Sequence, residues 1–498
     1  METIHLKTVD PVSQILLQSA ATRGLDLNWE RYVKLQPPDG FLRVGLSCPY
    51  GCMQGPCRID PFGRGAELGI CGLDRDRMVA ALLLRLCLSG VFEALNDLPD
   101  SASFRMPFWP DSLENMVSQT IATLGARDLE IQEVFQSAAS LHRPGETAEA
   151  MIRRALRLSI LTLALQNGHR KALPKKKKIL CKVGYGLLSG DDPLIGICGK
   201  PSSEHLAVLV KEAAASKPAV GLVSLGDWIT AESGYLPFAC TSGEAELVLS
   251  SGRISLVLCG PSVDPCVPEI CEKLKVPVVL TNAAPDPQET LRSAIESHNS
   301  HAKTDVFADI PPVAESGIVI SAKELAAEFK KTKATGLVLI GGTDTPQQSL
   351  GWIATEVTQA LGGEGCQVAG WGDAALWMVK RGLASEENDN PVRLLDPQQG
   401  ILETMANVSA GETFSSLKGI CYTGLNKSQD LAAALGLASL GVRVCVASPL
   451  PLWGSKKVRD CLTGFFTDRG GVFTHYDHPA DANEILQWFR EKENIHFA

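Results

Sequence analysis

Four cysteines near the start of the chain, Cys48, Cys52, Cys57 and Cys71, carry its clearest chemistry. They stand in the segment CPYGCMQGPCRIDPFGRGAELGICG, with the spacing C-x3-C-x4-C-x13-C. The first three lie close together and are separated by Gly51, Gly55 and Pro56, which describes a tight loop around a bound centre. The fourth returns just ahead of a helix. Thiolates are soft, anionic ligands that suit an iron–sulfur cluster or zinc. Glycine-rich backbone lets N–H groups turn toward the sulfurs, and a helix N-terminus after Cys71 adds the positive end of a dipole.

The elements that must position these thiols are helical at first. DRDRMVAALLLRLCLSGVFEAL has apolar residues at helical spacing, and Asp74 can cap its start. DSLENMVSQTIATLG and ETAEAMIRRALRLSILTLALQNG repeat the pattern, so residues 1–172 read as a helical domain. A basic run, Lys175–Lys178, follows Pro174 and reads as a solvated linker. Beyond it, short β-branched runs alternate with amphipathic helices: AVGLVSL, ISLVLCG and VPVVLTN, then TGLVLIGG, CQVAGWG, KGICYTG, VRVCVASPL and GVFTH. This is the rhythm of parallel βαβ units. The fold class is therefore α/β. The expected order is the N-terminal helical domain, then two doubly wound, Rossmann-like parallel-sheet domains at 173–330 and 331–498. Ligands of such sheets sit at the carboxyl ends of strands, where Cys198, Cys259, Gly341, Gly342 and Cys421 fall. IGGTDTP lacks the G-x-G-x-x-G spacing and no G-x-x-x-x-G-K-[ST] occurs, which argues against a nicotinamide or nucleoside triphosphate site.

A length of 498 residues calls for more than one core. The net charge of −9 argues against nucleic acid as a partner. The first residues, METIHLKTVDPVSQ, are mixed and polar and lack a signal-peptide pattern. The most apolar run, MVAALLLRLCLSGVF, is broken by Arg85, so no membrane span is expected. Fifteen cysteines without an export signal point to a reducing, cytoplasmic and anaerobic setting, with thiols acting as ligands or buried side chains. Cys87, Cys181 and Cys445 sit in apolar patterns and read as buried hydrophobes.

YVKLQPPDGFLRVGLSCPYGCMQGPCRIDPFGRGAELGICGLDRDRMVA resembles the N-terminal cluster region of the nickel–iron–sulfur carbon monoxide dehydrogenase catalytic subunits, relatives of the hybrid-cluster proteins. GPCRIDPFG followed by G-x-CG is the specific part of the match. The resemblance implies a [4Fe–4S] relay cubane on Cys48, Cys52, Cys57 and Cys71, with one extra residue between the first two. It also implies a homodimer. The ligands of the family's subunit-bridging cluster are replaced here by Asp39 and Ser47. The active-site cluster departs further. Its His-Gly-His-like segment reads Cys198-Gly199-Lys200-Pro201, followed by Ser203-Glu204. Gly226 and Asp227 stand near the Cys-Cys-Thr-Gly segment. Val263-Asp264-Pro265-Cys266 keeps the Val-Asp-x-Cys pattern. Gly-Cys-Asn becomes Gly341-Gly342-Thr343, Gly-Cys-Ala-Ala becomes Gly370-Trp371-Gly372-Asp373, and the last ligand position holds Gly424. VASPLPLWGSKKV resembles the segment of the family's acid–base lysine and puts a catalytic candidate at Lys456; by its own neighbours that lysine opens a helix and reads as solvated.

These residues lead to a shortened member with a degenerate active-site cluster. The leading expectation is an iron–sulfur redox protein that binds one [4Fe–4S] cubane and passes electrons to a soluble carrier such as ferredoxin or within a larger complex. A second is an oxidoreductase with a remodelled cluster or nickel, held by Cys198, Cys240, Cys266, Cys366 and Cys421, acting on CO, CO2 or a hydroxylamine-like molecule. The plain alternative for those five is scattered inert thiols. A third is a structural or regulatory partner subunit.

Overall fold

The structure is a computed structural model that describes residues 7–35, 40–50, 52–96, 109–127, 131–141, 145–168, 179–231, 234–281, 285–300, 313–385, 390–396, 400–408, 414 and 416–491. Lys175–Lys178 and Asp39 lie outside the described residues. Helices come first: α1 (Pro11–Thr22), α2 (Asn28–Lys34), α3 (Gly40–Arg43), α4 (Arg75–Asn96), α5 (Asp111–Thr123), α6 (Gln132–Ser140) and α7 (Ala148–Gly168). Then follow β1 (Ile179–Val183), β2 (Leu194–Cys198), α8 (Ser203–Ala215), β3 (Gly221–Ser224), β4 (Thr230–Ala231), β5 (Gly234–Tyr235), α9 (Ala245–Ser250), β6 (Leu256–Cys259), α10 (Cys266–Leu274), β7 (Val278–Leu280) and α11 (Pro287–Ser300). The last stretch runs through β8 (Glu315–Ile320), α12 (Ala322–Lys331), β9 (Leu337–Gly341), α13 (Trp352–Gly363), β10 (Gln367–Gly370), α14 (Gly372–Lys380), β11 (Val392–Leu395) and α15 (Gly400–Val408). It closes with β12 (Leu417–Tyr422), α16 (Ser428–Ser439), β13 (Arg443–Val446), α17 (Lys456–Thr467), β14 (Val472–His475) and α18 (Ala482–Arg490).

The α/β class with a helical N-terminal region is as expected. A smaller sheet has the order β3-β2-β6-β7, all parallel. A larger sheet has the order β1-β8-β11-β10-β9-β12-β13-β14, parallel except for β1, which runs antiparallel to β8. The smaller sheet lies within 173–330, and the larger sheet takes strands from both 173–330 and 331–498. β8 pairs with β11 and β1 pairs with β8, so both are strands of the larger sheet. The helices divide as well. α4 packs on α7 and α16 and shares one core with the larger sheet, while Leu16 of α1, Trp29 of α2 and Leu27 just before α2 bury in the other α/β core.

Local signals explain the main elements. The Arg77 N–H donates to Asp74 Oδ1 at 2.8 Å, the cap expected for α4. Glu93 near the end of α4 accepts the N–H groups of Ser428 and Gln429 at 3.3 and 2.9 Å, so it satisfies orphan donors at the start of α16. β9 is buried along its whole length, as a parallel strand covered on both faces must be. By length and composition α4 could cross a membrane, yet 67% of its apolar window is buried inside the protein.

His475, at the end of β14, is fully enclosed and packs against Trp453 and Phe473. Burial pushes its imidazole down from 6.5 to about 3, helped by the nearby Arg459 charge. The depressed pKa means its contribution to stability is present above pH 6.5 and is lost as pH falls toward 3. Acidification from pH 6.5 to about 5 should cost about 2 kcal/mol through this residue. Urea midpoints at the two pH values check this, and His475→Phe should remove that part of the difference.

Candidate functional site

The cysteine quartet sits on a loop clamped to the body by Leu46, Ile59 and Leu73, each buried in the core that holds α4. Cys48 and Cys57 are half-buried; Cys52 and Cys71 are exposed. The Cys48 N–H donates to the Cys57 carbonyl at 2.8 Å, and the Ile70 N–H points at Cys57 Sγ at 3.5 Å. Burial raises the Cys48 thiol pKa, a backbone N–H from Tyr50 opposes this, and the neighbouring Cys57, Cys52 and Cys71 thiols raise it further. The four sulfurs thus share one electrostatic neighbourhood. A Cβ at Gly55 would lie 3.5 Å from Cys52 Sγ, and one at Gly69 would lie 3.7 Å from Cys57 Sγ, so bare backbone faces the sulfurs. Arg77 bonds the Gly72 carbonyl at 2.6 Å and Arg75 the Asp60 carbonyl at 3.1 Å, which ties the loop to the start of α4. The donor set, thiols with N–H groups around them, fits an iron–sulfur cube. Among the described residues, no three His, Cys, Asp or Glu side chains converge on a single-ion shell.

The second place is the crevice at the carboxyl ends of β9 and β12, where the order of the larger sheet reverses. Here the two loops meet backbone to backbone. The Thr343 N–H donates to the Gly424 carbonyl at 3.0 Å and the Thr423 N–H to the Gly341 carbonyl at 2.8 Å. A Cβ on Gly342 would stand 2.6 Å from the Gly424 oxygen, and one on Gly424 2.3 Å from the Thr343 oxygen. Gly226 is closed in the same way, its Cβ falling 2.4 Å from the Ser242 nitrogen. The indole of Trp371 lies directly over Gly341 and meets Tyr422 edge-on at 5.4 Å between centroids.

A polar network fastens the smaller sheet to the larger around this crevice. Asp373, 3% exposed, accepts the Ser242 N–H at 3.0 Å, the Asp344 N–H at 2.9 Å and the Ser242 hydroxyl. Asp344 accepts the Thr241 hydroxyl at 2.5 Å and the Trp377 indole N–H at 3.0 Å. Burial, with Asp373 beside it, pushes the Asp344 pKa well above the usual carboxylate range. Glu244 caps its own turn through Thr241 and pairs with Lys380 at 2.6 Å. Lys380 also reaches Asp10 at 3.3 Å and lies 3.9 Å above the Tyr185 ring. Asp10, Thr241, Ser242, Glu244, Asp344 and Lys380 were not singled out in the sequence, and Asp373 was named only as part of a departed ligand segment. The one local signal, for Asp344 and Asp373, is the acid soon after a Gly-rich strand end, in GGTD and GWGD.

The five cysteines considered for a second cluster fall on different elements. Cys198 ends β2 beside Cys259, whereas Cys421 lies within β12 in register with Cys445. Cys240 is fully buried, and Glu244 adds to the burial that raises its thiol pKa. Cys266 opens α10, its thiol held up by burial and by Glu246 and Asp264. Cys366 directly precedes β10, which puts it at the amino end of a parallel strand, opposite the crevice, where Lys418 Nζ lies 3.1 Å from its sulfur. Lys456 is the exposed first residue of α17. Its neighbour Ser455 donates to Asp76 at 2.6 Å, so this turn meets the start of α4, not the crevice. Cys87, Cys181 and Cys445 are buried, as expected.

No family model matches the chain. Carbon monoxide dehydrogenase 1 of Methanosarcina mazei is 46% identical over 89 residues, which is 18% of this chain and only 14% of that relative. Carbon monoxide dehydrogenase of Rhodospirillum rubrum is 44% identical over 81 residues, 16% of this chain and 12% of that relative. Among solved structures, carbon monoxide dehydrogenase IV from Carboxydothermus hydrogenoformans matches with a TM-score of 0.77 at 19% identity, covering 97% of this chain and 98% of that one. A nickel-free carbon monoxide dehydrogenase from Thermococcus sp. AM4 matches with a TM-score of 0.78 at 17% identity, covering 97% of each chain. The chain therefore has the carbon monoxide dehydrogenase fold along its length and resembles that family's sequence over a short stretch.

Proposed function

We propose that the chain is an iron–sulfur redox protein on a carbon monoxide dehydrogenase scaffold. It holds one [4Fe–4S] cube on Cys48, Cys52, Cys57 and Cys71 and no nickel–iron–sulfur cluster. The cube supplies one-electron transfer, and the loop supplies its thiolates and the N–H groups around them. Four thiolates also suit tetrahedral zinc; the GPCRIDPFG segment around Cys57, which resembles the cluster region of the carbon monoxide dehydrogenases, supports a cube instead.

The observation that carries the second half is the closed crevice. The resemblance places three active-site ligands at or near Gly226, Gly342 and Gly424 and a fourth at Trp371. At the three glycines, backbone atoms stand where a thiol-bearing Cβ would have to be. At the fourth, an indole covers the strand end. Exposed Met53, Phe62 and Ile70 lie in the segment that carries the quartet. The same loop leaves Cys52 and Cys71 exposed, so a centre bound there is within reach of a docked protein. We place the electron-transfer partner there, a ferredoxin-type carrier or a larger complex.

Metal and sulfide analysis of anaerobically purified protein tests this. About four irons per chain, no nickel and no CO-dependent viologen reduction are expected. About eight irons, or stoichiometric nickel, would overturn the reading in favour of a rebuilt catalytic cluster.

A further inference from the structure

Two neighbouring strands of the smaller sheet end on a cysteine followed by glycine, β2 at Cys198 before Gly199 and β6 at Cys259 before Gly260. The two cysteines are register partners in the parallel ladder, and their sulfurs lie 3.8 Å apart. The chain beyond them is drawn together. The Gly260 N–H donates to the Cys198 carbonyl at 2.8 Å and the Ser262 N–H to the Gly199 carbonyl at 3.0 Å. A Cβ on Gly260 would come 2.1 Å from the Gly199 oxygen, and one on Gly199 2.5 Å from the Val263 nitrogen. Only glycine at both places allows this approach. Adjacent strands stand about 4.8 Å apart, within the roughly 4.4–6.8 Å that a disulfide spans between Cα atoms.

We propose that Cys198 and Cys259 form a redox dithiol that closes to a disulfide when it meets a small hydroperoxide. The hydrogen bond from Cys198 holds the Cys259 thiol below its ordinary pKa, so Cys259 supplies the thiolate. Its sulfur attacks the peroxide oxygen, the O–O bond breaks, and the alcohol or water leaves with a proton. Cys198 sulfur then displaces hydroxide from the resulting sulfenic acid, the S–S bond forms, and the hydroxide leaves as water with the Cys198 proton. The two thiols give up two electrons and two protons, which the hydroperoxide takes. Cys421 and Cys445 are also register partners, but β12 and β13 both continue beyond them, so the ladder holds their backbone on either side. Cys198 and Cys259 each end a strand, with no further ladder residue after either.

The test is peroxide titration of the anaerobically purified protein, followed by acid quench, alkylation in denaturant and non-reducing peptide mapping. The expected result is a linked pair of the Cys198 and Cys259 peptides, two hydrogens lighter than their sum, that dithiothreitol reverses. Cys421 and Cys445 should remain alkylated as free thiols. Cys198→Ser and Cys259→Ser should each abolish the linked species. If Cys198 and Cys259 stay free at a peroxide dose that oxidises the quartet thiols, or oxidise singly without linking, the proposal fails.

Discussion

Cys57→Ser is expected to give a colourless protein that retains almost none of its iron and passes no electrons. Cys57 lies at the centre of the quartet's loop. Its carbonyl holds Cys48, its sulfur receives the Ile70 N–H, and Gly69 leaves space against it. A serine oxygen is a harder and far less acidic ligand than a thiolate, so one corner of the cube would go unheld. The body of the protein should survive this change. Leu46, Ile59 and Leu73 anchor the loop through burial that does not involve the cube, and the Asp74 cap starts α4 independently. The far-ultraviolet dichroism should therefore match the unaltered protein while iron, sulfide and visible absorbance fall together. Full iron in the variant would show that Cys57 is no ligand. Loss of the helical signal along with the iron would instead support a cube that acts as a structural staple.

The parts of this fold that were legible are those written locally. α4 and α7 carry their periodicity within a few turns, the cap at Asp74 is adjacent in sequence, and the quartet spans a short loop. Strand runs buried on both faces also identify themselves by composition. Sheet membership does not, because it depends on pairing between distant segments. β1 joins β8 from well over a hundred residues away, and nothing in ILCKV says which sheet it will complete. The same limit governs the crevice. Asp373 meets Asp344 across 29 positions and Ser242 across 131. Cys366 shows the converse failure. Its loop is recognisable, but a loop ahead of a parallel strand lies at the end away from the site. The glycines at 226, 342 and 424 are visible as missing ligands, yet only the packing reveals that the space for those ligands has closed as well.

Asp373→Ala should destabilise the protein by about 3–5 kcal/mol, the range for breaking a buried, hydrogen-bonded charge network. The carboxylate satisfies two backbone N–H groups, of Ser242 and Asp344, and the Ser242 hydroxyl. Each donor left without a partner costs about 1–3 kcal/mol. One gain offsets part of the loss: a charge beside Asp344 disappears, and Asp344 is a group whose pKa burial and Asp373 have pushed well up. Asp373→Asn separates the two effects. It retains one acceptor oxygen and the volume while it removes the charge, so its cost should be clearly smaller than that of alanine. The pH dependence gives an independent sign. A carboxyl whose folded pKa is raised contributes stability that is present below its unfolded value of 3.8 and is lost as pH climbs through the folded value. Stability of the unaltered protein should therefore lose an Asp344 contribution between acid and neutral pH, and Asp373→Asn should flatten that loss. Thermal or urea unfolding of the three proteins across this interval is the measurement. Because Ser242 belongs to the smaller-sheet side and Asp373 to the larger, limited proteolysis should also cut the alanine variant faster between the two sheets. Equal stability of the alanine variant and the parent would mean that the crevice is held shut by Trp371 and the abutting glycines alone.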